Sequence, residues 1–171
     1  MSAVSGNESV VSNGVLEGKQ LKELIETYKA GLVGKSVYDR FGNDFPILIK
    51  YIDAQKDLSL QLHPNDQLAK ERHNSLGKNE MWYIMNADAE SKLITGFSKN
   101  TDQNEYQQYL ENGQIESLLH YETVNSGDTF FIQTGTVHAI GAGILLAEIQ
   151  QTSDVTSVSY THLTLPTTVF V

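Results

Sequence analysis

The sequence contains no cysteine, which excludes disulfides, thiolate metal ligands and a cysteine nucleophile. Any bound metal must therefore sit on His, Asp, Glu or amide oxygen. Proline is scarce, at 3 of 171 residues, while hydrophobic residues make up 40% and charged residues 19%. That balance belongs to a folded chain, not a disordered one. Positive charge is also in short supply. Lys and Arg total 12 against 21 Asp and Glu, for a net charge of -9 with His neutral. No basic stripe exists, so no nucleic-acid partner is expected, and an anionic ligand would need Lys or Arg placed locally against the overall field. Long apolar runs are missing too. Gly143-Ile144-Leu145-Leu146-Ala147 is far short of the roughly 20 residues a membrane-spanning helix needs. The segment Met1–Asn7 shows no basic or apolar leader pattern, so a cytoplasmic protein is expected.

What is present reads as one domain of short strands with a few helices. Leu21, Leu24, Ile25 and Tyr28 recur at helical spacing, with Gly31 and Gly34 as stop signals. Phe45 to Ile52 is a short apolar run and reads as a buried strand. Leu58 to His63 alternates strictly: Leu58, Leu60 and Leu62 on one face, Ser59, Gln61 and His63 on the other, until Pro64 ends the ladder. A short helix is expected over Asp66–His73, strands over 80–85 and 92–97, and a helical stretch over 102–120. Further strands are expected over 129–133 and 143–150, with the turn at Asn125–Asp128 between helix and strand.

Residues two apart on a strand lie about 6.6–6.8 Å apart on one face, so Gln61 and His63 can converge on one ion. The polar face they share is either a solvated outer surface or the wall of a polar cavity. A second element, Gly127 to His138, carries a turn, a strand, a second glycine turn at Gly135 and a histidine opening the next strand. That histidine, taken by itself, is either a structural residue or a ligand. Lys50 interrupts an otherwise apolar strand, and a lysine in such a place usually has a partner. Lys78 and Glu148 taken alone read equally well as a solvated pair, and Trp82 and Tyr83 as core or cavity wall.

Gly127, Gly135 and His138 resemble the second motif of the cupin superfamily, with Gln133 in place of its usual Pro and Ala142 in place of its usual Asn. The first cupin motif is present in altered form, as Gln61-x-His63 with Glu80 much further along. Leu58 to Asp66, Gly77 to Tyr83 and Gly135 to Ile140, in that order, resemble the type I mannose-6-phosphate isomerases. The likeness runs through roughly residues 2–156. It implies a mainly β, cupin-type antiparallel barrel or jelly roll with inserted helices, here incomplete, and a metal-binding domain over 1–156. It also implies one zinc ion held by Gln61, His63, Glu80 and His138, and interconversion of mannose 6-phosphate and fructose 6-phosphate through an enediol. Lys78 and Glu148 match active-site residues of that family, while Ser59 and Lys50 match residues that hold the substrate phosphate. The sequence leaves the proton-abstracting group open, and the donor set alone is compatible with Mn, Fe or Co as well as zinc.

The chain also departs from the family. The family pattern would begin before Ser2 and continue beyond Thr156, so a chain cut at both ends is expected. An arginine is expected where Val158 stands. Residues 157–171 resemble nothing in the family and read as a run-on, artefactual or disordered, in which His162 is no ligand. An impaired isomerase with open sheet edges is the expected result. The alternatives are a non-catalytic sugar-phosphate-binding cupin and a different metal-dependent cupin enzyme such as an iron oxygenase. The Gln ligand and the distant Glu80 argue against the last.

Overall fold

The structure, a computed structural model, describes residues 1–4 and 6–153 and the backbone of 157–160. The helices are α1 (Leu21–Tyr28), α2 (Ala30–Val33), α3 (Lys35–Phe41), α4 (Asp66–His73) and α5 (Gln103–Glu111). The strands are β1 (Ile47–Ala54), β2 (Leu60–Leu62), β3 (Glu80–Ala87), β4 (Lys92–Phe97), β5 (Leu119–Thr123), β6 (Thr129–Ile132), β7 (His138–Ile140), β8 (Ile144–Gln151) and β9 (Ser157–Tyr160). They form two antiparallel sheets, of order β1-β8-β3-β6 and β5-β4-β7-β2-β9. Neither sheet closes on itself among the described residues, so the expected cupin-type architecture is present as an open sandwich.

Period-2 alternation decides what each strand buries. On β3, Glu80, Trp82 and Ile84 point inward while Met81, Tyr83 and Met85 are exposed. On β8, Ile144, Leu146, Glu148 and Gln150 are buried in the same alternating way. Trp82, Ile84, Ile144 and Leu146 of the first sheet meet Leu93 and Ile140 of the second in one core. Burying each of these aliphatic side chains contributes about 1.5–3 kcal/mol. A smaller cluster of Leu60, Leu119, Val137 and Ala139 lies apart from that core, on the second sheet, with Leu62 packed against it. Leu60 and Leu62 thus face apolar neighbours. The opposite face of β2 carries Gln61, which is half-buried.

Two expectations need correction. The stretch 102–120 is not one helix. Helix α5 ends at Glu111, Gly113 adopts a left-handed φ of 66°, and a single 3-10 turn over Ile115–Leu118 leads straight into β5. Pairing of β5 with β4 wins over the helical spacing of Ile115, Leu118 and Leu119. Gly34 does stop a helix, with φ 87°, but the chain resumes at once as α3, which the sequence did not signal. Ser157–Tyr160, the start of the expected run-on, extends the second sheet as β9 against β2. His162 and the rest of 161–171 lie outside the described residues. No helix among the described residues is long and apolar enough to cross a membrane.

Candidate metal centre and the adjoining ion pair

Three separated stretches deliver the polar side chains. His63 follows β2 directly, and its carbonyl accepts from Gly135 N at 2.9 Å, which ties it to the turn preceding His138. Gly135 has φ 84°, a conformation that a side chain would strain. His138 opens β7 and stands in register with Gln61 of β2. Opposed residues of an antiparallel pair share a face with Cβ atoms about 4.5–5.5 Å apart, so Gln61 and His138 lie side by side. Glu80 opens β3 in the facing sheet. The segment before it is anchored by α4, whose Asn65 caps it by accepting from Leu68 N at 2.9 Å. Asp66 then accepts from Gly77 N at 2.8 Å. A Cβ on Gly77 would meet Asp66 N at 2.6 Å, so only glycine permits this approach.

His63, Glu80 and His138 are 1%, 2% and 2% exposed, and their donor atoms all lie within 4.8 Å of one another. His63 Nε2 is 3.3 Å from Glu80 Oε1, and His138 Nε2 is 3.6 Å from Glu80 Oε2. Two donors about 2.1 Å from one ion at a tetrahedral angle would be roughly 3.4 Å apart. Both nitrogens of His63 and Nε2 of His138 are buried with no hydrogen-bond partner among the described residues. Such groups are costly unless something satisfies them. His138 Nδ1 lies 2.8 Å from the Thr136 carbonyl, an acceptor only, which places the proton on Nδ1 and leaves the Nε2 lone pair free. The donor set therefore fits a metal ion.

The charges agree. Burial opposes ionisation of Glu80, but the His63 ring, the Lys78 ammonium and the His138 ring outweigh it and hold the carboxyl at about 2. Burial lowers the pKa of His138, against the Thr136 carbonyl and Glu80, which favours the neutral imidazole that metals bind. Lys78 is buried, with Nζ 3.1 Å from Glu80 Oε1. It precedes β3, so its proximity comes from the anchored loop and not from strand parity with Glu80.

A second polar group lies on the first sheet. Lys50 of β1 stands in register with Glu148 of β8, which stands in register with Trp82 of β3. Lys50 Nζ donates to Glu148 Oε1 at 3.0 Å and to Gln150 Oε1 at 2.7 Å. The Trp82 indole donates to Glu148 Oε2 at 3.1 Å, and its ring meets the His138 ring edge-on at 5.5 Å. Lys78 and Glu148 are thus both buried, and each has a different partner. Trp82 is core, as its residue type suggests, but its N–H also fixes Glu148.

Ser59 lies just before β2, half-buried, on a groove of about 1270 Å³ that contains none of the other candidates. The structure brings together His63, Glu80, His138 and Lys78, with Gln61 beside His138 by register. It brings Lys50 and Glu148 together as a pair, and leaves Ser59 apart. Sequence reasoning missed Gln150. The signal was available, since Glu148-x-Gln150 repeats the same-face spacing of Gln61-x-His63. It also missed Asn79, which accepts from Thr134 N at 3.0 Å and donates to Gln151 Oε1 at 2.8 Å, stapling β3, β8 and the turn before His138 together.

Residues 1–116 match the family model of the phosphomannose isomerase type I catalytic domain. The chain belongs to this family. It is 43% identical over 155 residues to mannose-6-phosphate isomerase ManA of Bacillus subtilis, covering 90% of this chain and 47% of that relative. The crystal structure of the Bacillus subtilis mannose 6-phosphate isomerase matches with a TM-score of 0.86 and 33% identity, over 98% of this chain and 52% of that one. A mannose 6-phosphate isomerase solved with zinc and yttrium bound shares the fold, with a TM-score of 0.65 and 18% identity over 86% of this chain and 59% of that one. The chain spans about half the length of the curated relatives it matches.

Proposed function

We propose that this chain carries the metal-dependent centre of an aldose–ketose isomerase that interconverts mannose 6-phosphate and fructose 6-phosphate. The observation that carries the reading is the cluster of orphaned imidazole nitrogens around a buried, ionised Glu80, in the same interior as Lys78 and the Lys50–Glu148 pair. His63, Glu80, His138 and Gln61 would hold one zinc ion, a set with one negative charge that leaves the ion net positive. When bound, the ion supplies positive charge that stabilises the substrate oxygens as the carbon-bound proton leaves. Lys78, fixed by Glu80, polarises or protonates a substrate oxygen. Glu148, fixed by Lys50 and Trp82, carries the proton between C2 and C1, so the transfer is internal and needs no oxidant or reductant.

Charge balance favours a phosphorylated substrate. Lys50 and Lys78 offset Glu80 and Glu148, so the interior is formally neutral before the ion enters. A divalent ion then leaves an excess of two positive charges, matched by a phosphate of charge about -1.5 to -2. Lys50, whose side chain is partly exposed, would meet that phosphate. The assignment of Ser59 to the phosphate rests on the family likeness alone. A cytoplasmic setting, where phosphorylated sugars are retained by their charge, completes the reading.

A second reading, a sugar-phosphate-binding protein without turnover, is favoured by one observation. Position 158, where the family likeness calls for arginine, is Val158, and it stands in register with Gln61. The test is to load the purified chain with zinc, titrate mannose 6-phosphate and assay fructose 6-phosphate, alongside Val158→Arg. Saturable binding with weak turnover that rises in Val158→Arg supports the isomerase. Binding with no turnover in either chain supports the second reading. No saturable binding by the zinc-loaded chain refutes both.

A further inference from the structure

Gln150 is 2% exposed and fully used. Its amide nitrogen donates to the carbonyls of Gln151 at 3.0 Å and Ser153 at 3.3 Å. Two carbonyls can only accept, so the amide has one orientation, and its oxygen must face the Lys50 ammonium, 2.7 Å away. Glu148 Oε1 takes a second N–H of the same ammonium, at 3.0 Å. Glu148 is itself pinned, because its other oxygen accepts from Trp82. A lysine ammonium carries three donors. Two are committed to acceptors that cannot move freely, and one remains among the described residues.

We infer that Gln150 is a positioning residue: it sets where the Lys50 ammonium sits and leaves one N–H of that ammonium free for the substrate phosphate. The role needs a neutral acceptor. A second carboxylate at 150 would face the carbonyls of Gln151 and Ser153 and would cancel the positive charge an anion requires. Lysine has a long, flexible stem, so an ammonium held at two points loses less freedom when it meets an anion than one swinging in solvent. The inference rests on the proposed phosphate-holding role of Lys50. It adds that the affinity depends on a buried residue that need not touch the ligand.

The experiment is a double-mutant cycle in the zinc-loaded full chain, with mannose 6-phosphate binding as the readout and Lys50→Met, Gln150→Met and the double variant as the corners. Methionine keeps the length of Gln150 and removes the acceptor. Gln150→Met is expected to weaken binding about tenfold, the usual scale for a hydrogen bond to a charged group, with zinc stoichiometry unchanged. The double variant should bind no more weakly than Lys50→Met alone. Unchanged affinity in Gln150→Met, or losses that multiply in the double variant, would overturn the positioning role while leaving the isomerase reading in place. Unchanged affinity in Lys50→Met would remove the phosphate role of Lys50, and this inference with it. A measurement on the unsubstituted protein guards against misfolding of the variants. The Lys50 ammonium should give a ¹⁵N-resolved signal with slowed proton exchange, identified by its loss in Lys50→Met. Exchange as fast as that of a solvated lysine would refute the inference.

Discussion

The two ends of the sandwich interior are built by the same strands and do opposite things. On β3 the inward row runs Glu80, Trp82, Ile84; on β8 it runs Gln150, Glu148, Leu146, Ile144; on β7 it runs His138, Ile140. One end is aliphatic and self-sufficient, the other polar and, at three ring nitrogens, unsatisfied. Trp82 sits at the boundary, packed in the apolar core and bonded to Glu148. The comparison teaches that strand parity decides only which residues enter the interior. Chemical identity along the inward row then decides where the protein spends stability on a site.

The sharpest way to break the comparison is at the polar end. His138→Ala or His63→Ala is expected to abolish stoichiometric zinc retained after dialysis, since each removes one of the few donors. Metal analysis that finds full loading in both variants would dissolve the site. Leu146→Ala at the aliphatic end should do the converse. It should cost about 2–5 kcal/mol in urea unfolding while zinc stoichiometry in the folded protein stays the same.

Acid should expose the polar end of the metal-free protein. The folded-state pKa of Glu80, about 2, lies below its ordinary 4.5, and that of His138 is also lowered. In both cases the unfolded chain binds the proton more readily, so stability rises with pH. It should be fully present above pH 6.5, decline first as His138 is passed, and decline again below pH 4.5. The Glu80 contribution is on the order of 3 kcal/mol. Urea curves of chelator-treated protein at pH 7.5, 5.5 and 4 check the sign, and a flat or inverted trend contradicts it. The smallest expected effect is at the boundary. Trp82→Phe keeps an aromatic ring but removes the N–H and part of the indole volume, which should cost about 1–3 kcal/mol and lower turnover, with zinc content unchanged. Turnover equal to that of the unsubstituted chain would show that Glu148 needs no such support.

Much of this was legible in the residues. The strict alternation from Leu58 to His63, the apolar run broken by Lys50 and the glycine turn before His138 each carry a local physical signal. Their convergence on Glu80 was readable only through family likeness, because three stretches distant in the chain meet through sheet pairing. Lys78 shows the limit of parity arguments: its place is set by Gly77 against Asp66, a contact no spacing encodes. Helix spacing misled over 102–120 because Leu119 has a strand partner in β4. Gln150 went unnoticed although it shares the same-face spacing with Glu148, because its role shows only once its two carbonyl acceptors and the Lys50 donor are placed.

The chain has a single tryptophan, and it lies edge-on against His138 with its N–H on Glu148. Its fluorescence therefore originates at the wall of the candidate centre and nowhere else in the molecule. Loading of the imidazole or displacement of the carboxylate alters the surroundings of that one emitter, so the protein carries its own optical titration probe without any label.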